Sequence, residues 1–158
     1  MIILHVKVYN LILKTLNKKN QKVRILLNKQ LSKLRIKIIK NDKSKNIVKD
    51  KKIGNILIRE QILKDFPPKE LRKVIDEGKK DIKSGIVISI SIFEDKVGLA
   101  VGVSKDLTSK YDAVVLVKAA SVILGGTGGG GRKDFAQAGG VDKSKIEEAF
   151  KEISKKIS

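Results

Sequence analysis

Between Leu11 and about Lys40 the chain runs without Gly or Pro, and Leu27, Leu31, Leu34 and Ile38 recur at alternating spacings of four and three. That period places the four side chains in one stripe of a helix. The positions between them are mostly Lys, Arg, Asn and Gln, so the stripe is narrow and resembles the seam of a coiled coil more than the face of a core helix. Asn41 to Lys52 is a polar run of Lys, Asp, Ser and Asn, expected as a linker. A basic helical segment with its linker, residues 1–52, is thus expected to precede a globular body, residues 53–158.

Within the body the hydrophobic period changes from element to element. Ile53 to Ile58 is a short apolar segment broken by Gly54 and is expected as a strand. Phe66-Pro67-Pro68-Lys69-Glu70 reads as a helix entry, because proline fits the first turn, where its missing donor is not needed. Leu71, Val74, Ile75, Gly78 and Ile82 then share one helical face, and Gly85 stops a helix expected over about 68–83. Ile86 to Phe93 alternates Ile with Ser late in its run, and Val97 to Val103 alternates large apolar residues with Gly98, Ala100 and Gly102. Both read as strands, and Glu94-Asp95-Lys96 is short enough to join them as an antiparallel hairpin. Ala113 to Leu124 puts Val114, Val117, Ser121 and Leu124 on one face and is expected as a buried helix rather than a third long strand. Phe135 to Ala138 reads as a short strand. Asp142 caps a last helix to Ile157, with Ile146, Ala149, Phe150, Ile153 and Ile157 as its apolar face. The expected fold class is α/β in the α+β sense: a small mixed sheet with a central antiparallel hairpin, covered by helices and preceded by a long basic helix.

Charge adds a partner class to this outline. The 158 residues carry 35 Lys and Arg against 17 acids, a formal net charge of +18. About +14 of it falls in residues 1–52, where Asp42 and Asp50 are the only acids. Such an excess attracts polyanions through long-range fields and counterion release, so nucleic acid is the leading partner; lysine-rich coding alone produces the same excess without a ligand. Aromatic residues are only 4% of the chain, which leaves little for stacking on exposed bases and favours recognition of structured RNA through phosphates, shape and 2′-hydroxyls. The chain has no Cys, so disulfides and thiolate metal sites are excluded, in keeping with a reducing compartment. Met1 to Leu13 is apolar in patches but lacks the basic flank and small-residue cleavage site of a signal peptide, and no apolar run is long enough to cross a bilayer.

Catalytic constellations are missing. His5 is the one histidine, so no His pair can ligate a metal and no central imidazole base exists. Asp76, Glu77, Asp81, Asp106 and Asp134 are scattered among lysines, with no spacing that compels a metal or acid–base role. No metal or other cofactor is expected in this chain. What remains is the glycine density from Gly125 to Gly140 around Arg132 and Lys133, far more than a turn requires. Backbone amides without Cβ atoms can approach an anion closely, and a neighbouring cation adds a charge-assisted bond to phosphate. A flexible connection in which glycines merely permit tight packing is the other reading, and glycine content alone leaves both open. The loop lacks the Gly-Lys-Ser/Thr ending of a Walker loop and follows a helix rather than a strand, so ATP or NAD binding there is not expected.

The segment GGTGGGGRKDFAQAGG, from Gly125 to Gly140, closely resembles the C-terminal signature of alanine-tRNA ligases. ELRKVIDEGKKDIKSGIVISIS, VGLAVGVSKDLTSK and VDKSKIEEAF extend the resemblance over about Pro68 to Phe150. The glycine motif with Ala136-Gln137-Ala138-Gly139-Gly140 is its specific part. The resemblance implies a module shared with the DHH phosphoesterases that binds the outer corner of tRNA(Ala) in the cytoplasm and supports dimerisation. It implies loop contacts from Gly128, Gly129, Gly130, Gly131 and Arg132, with Lys105 and Lys133 as neighbouring charges and Gln137 bracing the loop or touching RNA. The aminoacylation and editing domains, with their ATP and zinc, have no counterpart here and belong to other parts of such an enzyme. Two departures stand out: the loop has one glycine more than the usual pattern, and Lys133 stands where the family commonly has proline, so a looser loop is expected. Two further functions compete with tRNA binding: an assembly module paired through the Leu27–Ile38 seam, and the substrate-binding half of a DHH-type phosphoesterase.

Overall fold

The computed structural model describes residues 2–15, 20–41 and 46–158. The chain divides into two compact units, Met1–Ser44 and Lys45–Ser158. The first holds two helices, α1 (Ile2–Thr15) and α2 (Gln21–Asn41), in place of the single helix expected from Leu11 to Lys40. Residues 16–19, inside that expected helix, lie outside the described residues. The second helix starts where it does because the Asn20 carbonyl accepts the Arg24 amide at 3.1 Å, which puts Asn20 in the N-cap position that asparagine favours. Leu31 is buried and Leu27, Leu34 and Ile38 are half-buried, so the leucine stripe turns inward within a single chain. Arg35 Nη2 donates to Asn10 Oδ1 at 3.3 Å and ties the two helices together.

The second unit is a six-stranded sheet of β1 (Asn46–Ile53), β2 (Ile56–Lys64), β3 (Ile86–Phe93), β4 (Lys96–Val103), β5 (Gly129–Arg132) and β6 (Phe135–Gly140). Its spatial order is β1-β2-β3-β4-β6-β5. In this sheet only β2 and β3 run parallel, and a helix between them provides the crossover that a parallel pair needs; the other neighbours are antiparallel. The β3–β4 hairpin lies at the centre, as expected, in the register Ile86↔Val103 to Phe93↔Lys96. Three helices cover the sheet: α3 (Leu71–Ile82), entered through a 3-10 turn at Pro68–Glu70, α4 (Ala113–Ile123) and α5 (Ile146–Ile157). The class is the mixed sheet covered by helices that the periodicity implies.

Alternation along the central strands decides which helix lies on which face. Ile86, Ile88 and Ile90 of β3 and Val97, Leu99, Val101 and Val103 of β4 join one core with α4 and α5. Residues of the opposite parity meet α3 instead: a Cβ at Gly78 of α3 would lie 2.9 Å from Val87 Cγ1, and one at Gly102 would lie 2.2 Å from Ile75 Cγ2. The small residues of β4 thus set how closely α3 can approach. All five residues of the expected α3 face, and all five of the α5 face, are buried. On α4, Val117, Ser121 and Leu124 are buried as expected, while Val114 is only half-buried and Leu116 and Ala120 take its place. Asp112 begins this helix by accepting the Val114 amide at 2.8 Å. Asp142 likewise accepts the Ser144 amide at 3.0 Å, capping the 3-10 turn that leads into α5.

The first two strands correct the sequence expectation. Residues 46–52, expected as linker, form most of β1, and the segment 53–58 is split by a two-residue hairpin turn at 54–55, with Gly54 at φ 57°: Ile53 ends β1 and Ile56 to Ile58 begin β2. An edge strand such as Asn-Ile-Val-Lys-Asp-Lys-Lys-Ile hides its period because its lysines serve solubility and guard the open edge. Cross-strand ion pairs set its register. Lys51 pairs with Glu60, and Asp50 lies directly opposite Arg59, which grips both carboxylate oxygens at 2.7 and 2.8 Å.

Hydrogen bonds from Arg59, helped by its charge and opposed by partial burial, hold the Asp50 carboxyl below the ordinary carboxylate range. A folded-state pKa below the unfolded one gives stability that is present above the unfolded value, near 3.9, and lost as pH falls through the folded value. Asp50→Asn is therefore expected to destabilise the fold at neutral pH by no more than about 1 kcal/mol, since the pair is partly exposed. Urea titrations from pH 7 down to pH 2.5 should show wild type and variant converging below about pH 4.

Candidate functional site

Beside the sheet edge formed by β5 lies an open groove of about 490 Å³, lined by Lys69, Arg72, Gly130, Gly131, Arg132, Phe135 and Gln137. One wall is the start of the α3 region. Lys69 and Arg72 stand in its first turns, where the helix macrodipole favours acids rather than bases. Helix stability does not account for two cations there. The Arg72 guanidinium sits 5.0 Å from the centroid of the Phe135 ring, a cation–π contact that holds the side chain over the groove. The other wall is the glycine segment, which is strand β5, paired with β6 through Gly129↔Ala138, Gly130↔Gln137, Gly131↔Ala136 and Arg132↔Phe135. The looser loop expected from the extra glycine and from Lys133 is not what forms. Pairing to β6 supplies the order that side chains do not.

The glycines divide between packing and exposure. A Cβ at Gly129 would fall 2.6 Å from Ala138 Cβ, the Gln137 carbonyl and Val117 Cγ1, and one at Gly131 would fall 2.3 Å from the Phe135 carbonyl. Those two glycines let β5 lie close against α4 and β6. A Cβ at Gly130 would meet nothing within 4 Å, so neither packing nor backbone conformation demands glycine there. Its exposed backbone lines the groove together with the cations. Packing therefore accounts for glycine at 129 and 131 and does not account for it at 130.

Of the residues named from sequence, Gly130, Gly131, Arg132 and Gln137 come together in the groove. Gly128 and Gly129 do not line it; the Gly128 carbonyl accepts the Ser121 hydroxyl at 3.3 Å. Lys133 is exposed in the β5–β6 turn, outside the groove lining, where its carbonyl accepts the Ala113 amide at 3.0 Å. Lys105 is also outside the lining, in a 3-10 turn just after β4. Lys69, Arg72 and Phe135 were not singled out. Lys69 and Arg72 precede the glycines by some sixty residues, and only the sheet brings them alongside. The charge disposition is uneven: Arg132 Nε lies 3.3 Å from Asp134 Oδ1, and Lys79 Nζ reaches the other Asp134 oxygen at 4.0 Å and its carbonyl at 3.3 Å.

Such a groove can hold an anion or a sugar–phosphate chain by charge and by close backbone approach. Among the described residues no group of three or more His, Asp or Glu side chains could hold a metal, and no helix is long and apolar enough to cross a membrane.

Residues 54–158 match the DHHA1 domain family. The chain is 53% identical over 85 residues to the alanine–tRNA ligase of Hyphomonas neptunium, covering 54% of this chain and 10% of the relative. It is 49% identical over 98 residues to that of Parvibaculum lavamentivorans, covering 61% of this chain and 11% of the relative. It thus spans about a tenth of the length of these curated relatives. Among solved structures, the C-Ala domain from Aquifex aeolicus alanyl-tRNA synthetase superposes with a TM-score of 0.66 at 32% identity, covering 70% of this chain and 98% of that one. The DHH domain of a member of the s1p family of ribosomal proteins matches at 18% identity with a TM-score of 0.52, covering 89% of this chain and 35% of that one, a likeness of fold alone. With the matched region taking in the whole groove, the chain belongs to the DHHA1 domain family, in the form found as the C-terminal domain of alanine–tRNA ligases.

Proposed function

We propose that this chain binds tRNA(Ala) in the groove of its second unit and presents it to the aminoacylation and editing domains of an alanine–tRNA ligase, in cytoplasmic translation. The observation that carries the reading is the bare backbone of Gly130 and Gly131 flanked by Lys69, Arg72 and Arg132. It offers a ribose–phosphate chain both close approach and charge. Gln137, opposite Gly130 on β6, supplies a neutral donor and acceptor for a 2′-hydroxyl or base edge. Lys133 and Lys105 add to the field without lining the groove, and the basic helix α2 of the first unit offers phosphate contacts of its own. ATP and zinc chemistry belongs to the other domains of the ligase, and this chain contributes grip and orientation.

Titration of tRNA against increasing salt tests the reading. Arg132→Ala is expected to weaken binding across tRNA species and to lower the slope of log affinity against log salt by about one contact. An unchanged titration would take the groove out of the interface.

A further inference from the structure

Asp134 is an acid in contact with Arg132 at the groove rim, and its placement looks counterproductive for a site that takes an anion. It bridges to Arg132, yet it does not line the groove. Arg132 Nε lies 3.3 Å from the Asp134 carboxylate, and a guanidinium held from its Nε side can still present its two terminal nitrogens to a ligand. That fork is the part of arginine that takes a phosphate by two parallel hydrogen bonds. The Arg132 side chain is 68% exposed, and an exposed arginine without an anchor samples many rotamers, each of which must be given up on binding.

Asp134 is itself anchored on its far side. Lys79 of α3 donates to its carbonyl at 3.3 Å and faces its second carboxylate oxygen at 4.0 Å. The Asp134 carbonyl also accepts the Val103 amide at 3.0 Å, which fixes the turn to the centre of the sheet. A line of contacts therefore runs from the buried framework through Asp134 to the Nε of Arg132.

We propose that Asp134 is a positioning residue that presets the Arg132 guanidinium for bidentate capture of a backbone phosphodiester, acting by orientation and against its own charge. This rests on the reading of the groove as the tRNA site.

Orientation and charge predict opposite signs, so the experiment decides between them. Asp134→Asn keeps the size and turn preference of the side chain and removes one negative charge. If only net charge mattered, tRNA would bind more tightly. Positioning instead predicts weaker binding, by about three- to tenfold, the cost of ordering one rotamer-rich side chain. The loss should vanish in an Arg132→Ala background, because the two residues act as one unit. Asp134→Glu, which retains a carboxylate on a longer arm, should recover part of the affinity. Thermal unfolding of each variant shows that the fold is kept. Equal or tighter binding by Asp134→Asn, or an undiminished loss in the Arg132→Ala background, would overturn the proposal. Arg132→Ala without effect on its own would instead overturn the tRNA reading of the groove beneath it.

Discussion

Gly130→Leu is expected to abolish most tRNA binding while leaving the fold intact. A Cβ at this position meets nothing within 4 Å, and the backbone there requires no left-handed conformation. Most bulky substitutions in a sheet disturb packing; this one adds bulk in open space at a residue that lines the groove. The urea midpoint should stay put or rise slightly, since leucine restricts the unfolded chain more than glycine does. The affinity should fall by about tenfold or more, roughly 1.4 kcal/mol per decade, because the backbone can no longer approach the ligand. Gly139→Leu is the control: its Cβ also meets nothing within 4 Å, but the residue lies on β6 outside the groove lining. Equal binding by wild type and Gly130→Leu in a filter or fluorescence titration would show that the ligand does not rest on this edge.

The second large effect is on stability. A Cβ at Gly102 would lie 2.2 Å from Ile75 Cγ2, and Ile75 is fully buried with no room to withdraw. Gly102→Ala is thus expected to destabilise the second unit by about 1–3 kcal/mol through overpacking. The denaturation midpoint should drop with an unchanged urea slope, since the surface exposed on unfolding stays the same. Because α3 carries Arg72 and follows directly on Lys69, pushing it off the sheet also widens the groove. A fall in tRNA affinity should accompany the loss of stability, whereas the Gly130 variant separates the two. Gly98, whose Cβ would fall 2.6 Å from Pro68 Cβ, guards the Lys69 end of the same wall. The small residues of β4 are as much part of the site's geometry as the cations.

Much of this was legible along the chain. The apolar faces of α3 and α5 and the β3–β4 hairpin follow from period alone, because each buries a side-chain pattern fixed by its own local geometry. The glycine segment and Arg132 stood out as candidate chemistry. The large–small alternation of β4 was visible as well, although its meaning, a close seat for α3, required the helix to be placed. Where the period carries no apolar signal, the reading failed. β1 is an edge strand in which Lys49, Asp50, Lys51 and Lys52 break the apolar period, and β5 is almost all glycine, without any propensity of its own. Both exist because a neighbouring strand pairs with their backbone.

The sequence by itself determined the central hairpin, the inward faces of its helices, the excess of positive charge and the family motif. Visible only in the folded chain are the openness of Gly130 beside packed Gly129 and Gly131, the meeting of Lys69 and Arg72 with the glycines across some sixty residues, and the seat of Asp134 beside Arg132. The reason is physical: periodicity records what each element buries against its neighbours. A binding groove is made of residues left unburied at the meeting of distant elements, and no local period marks them.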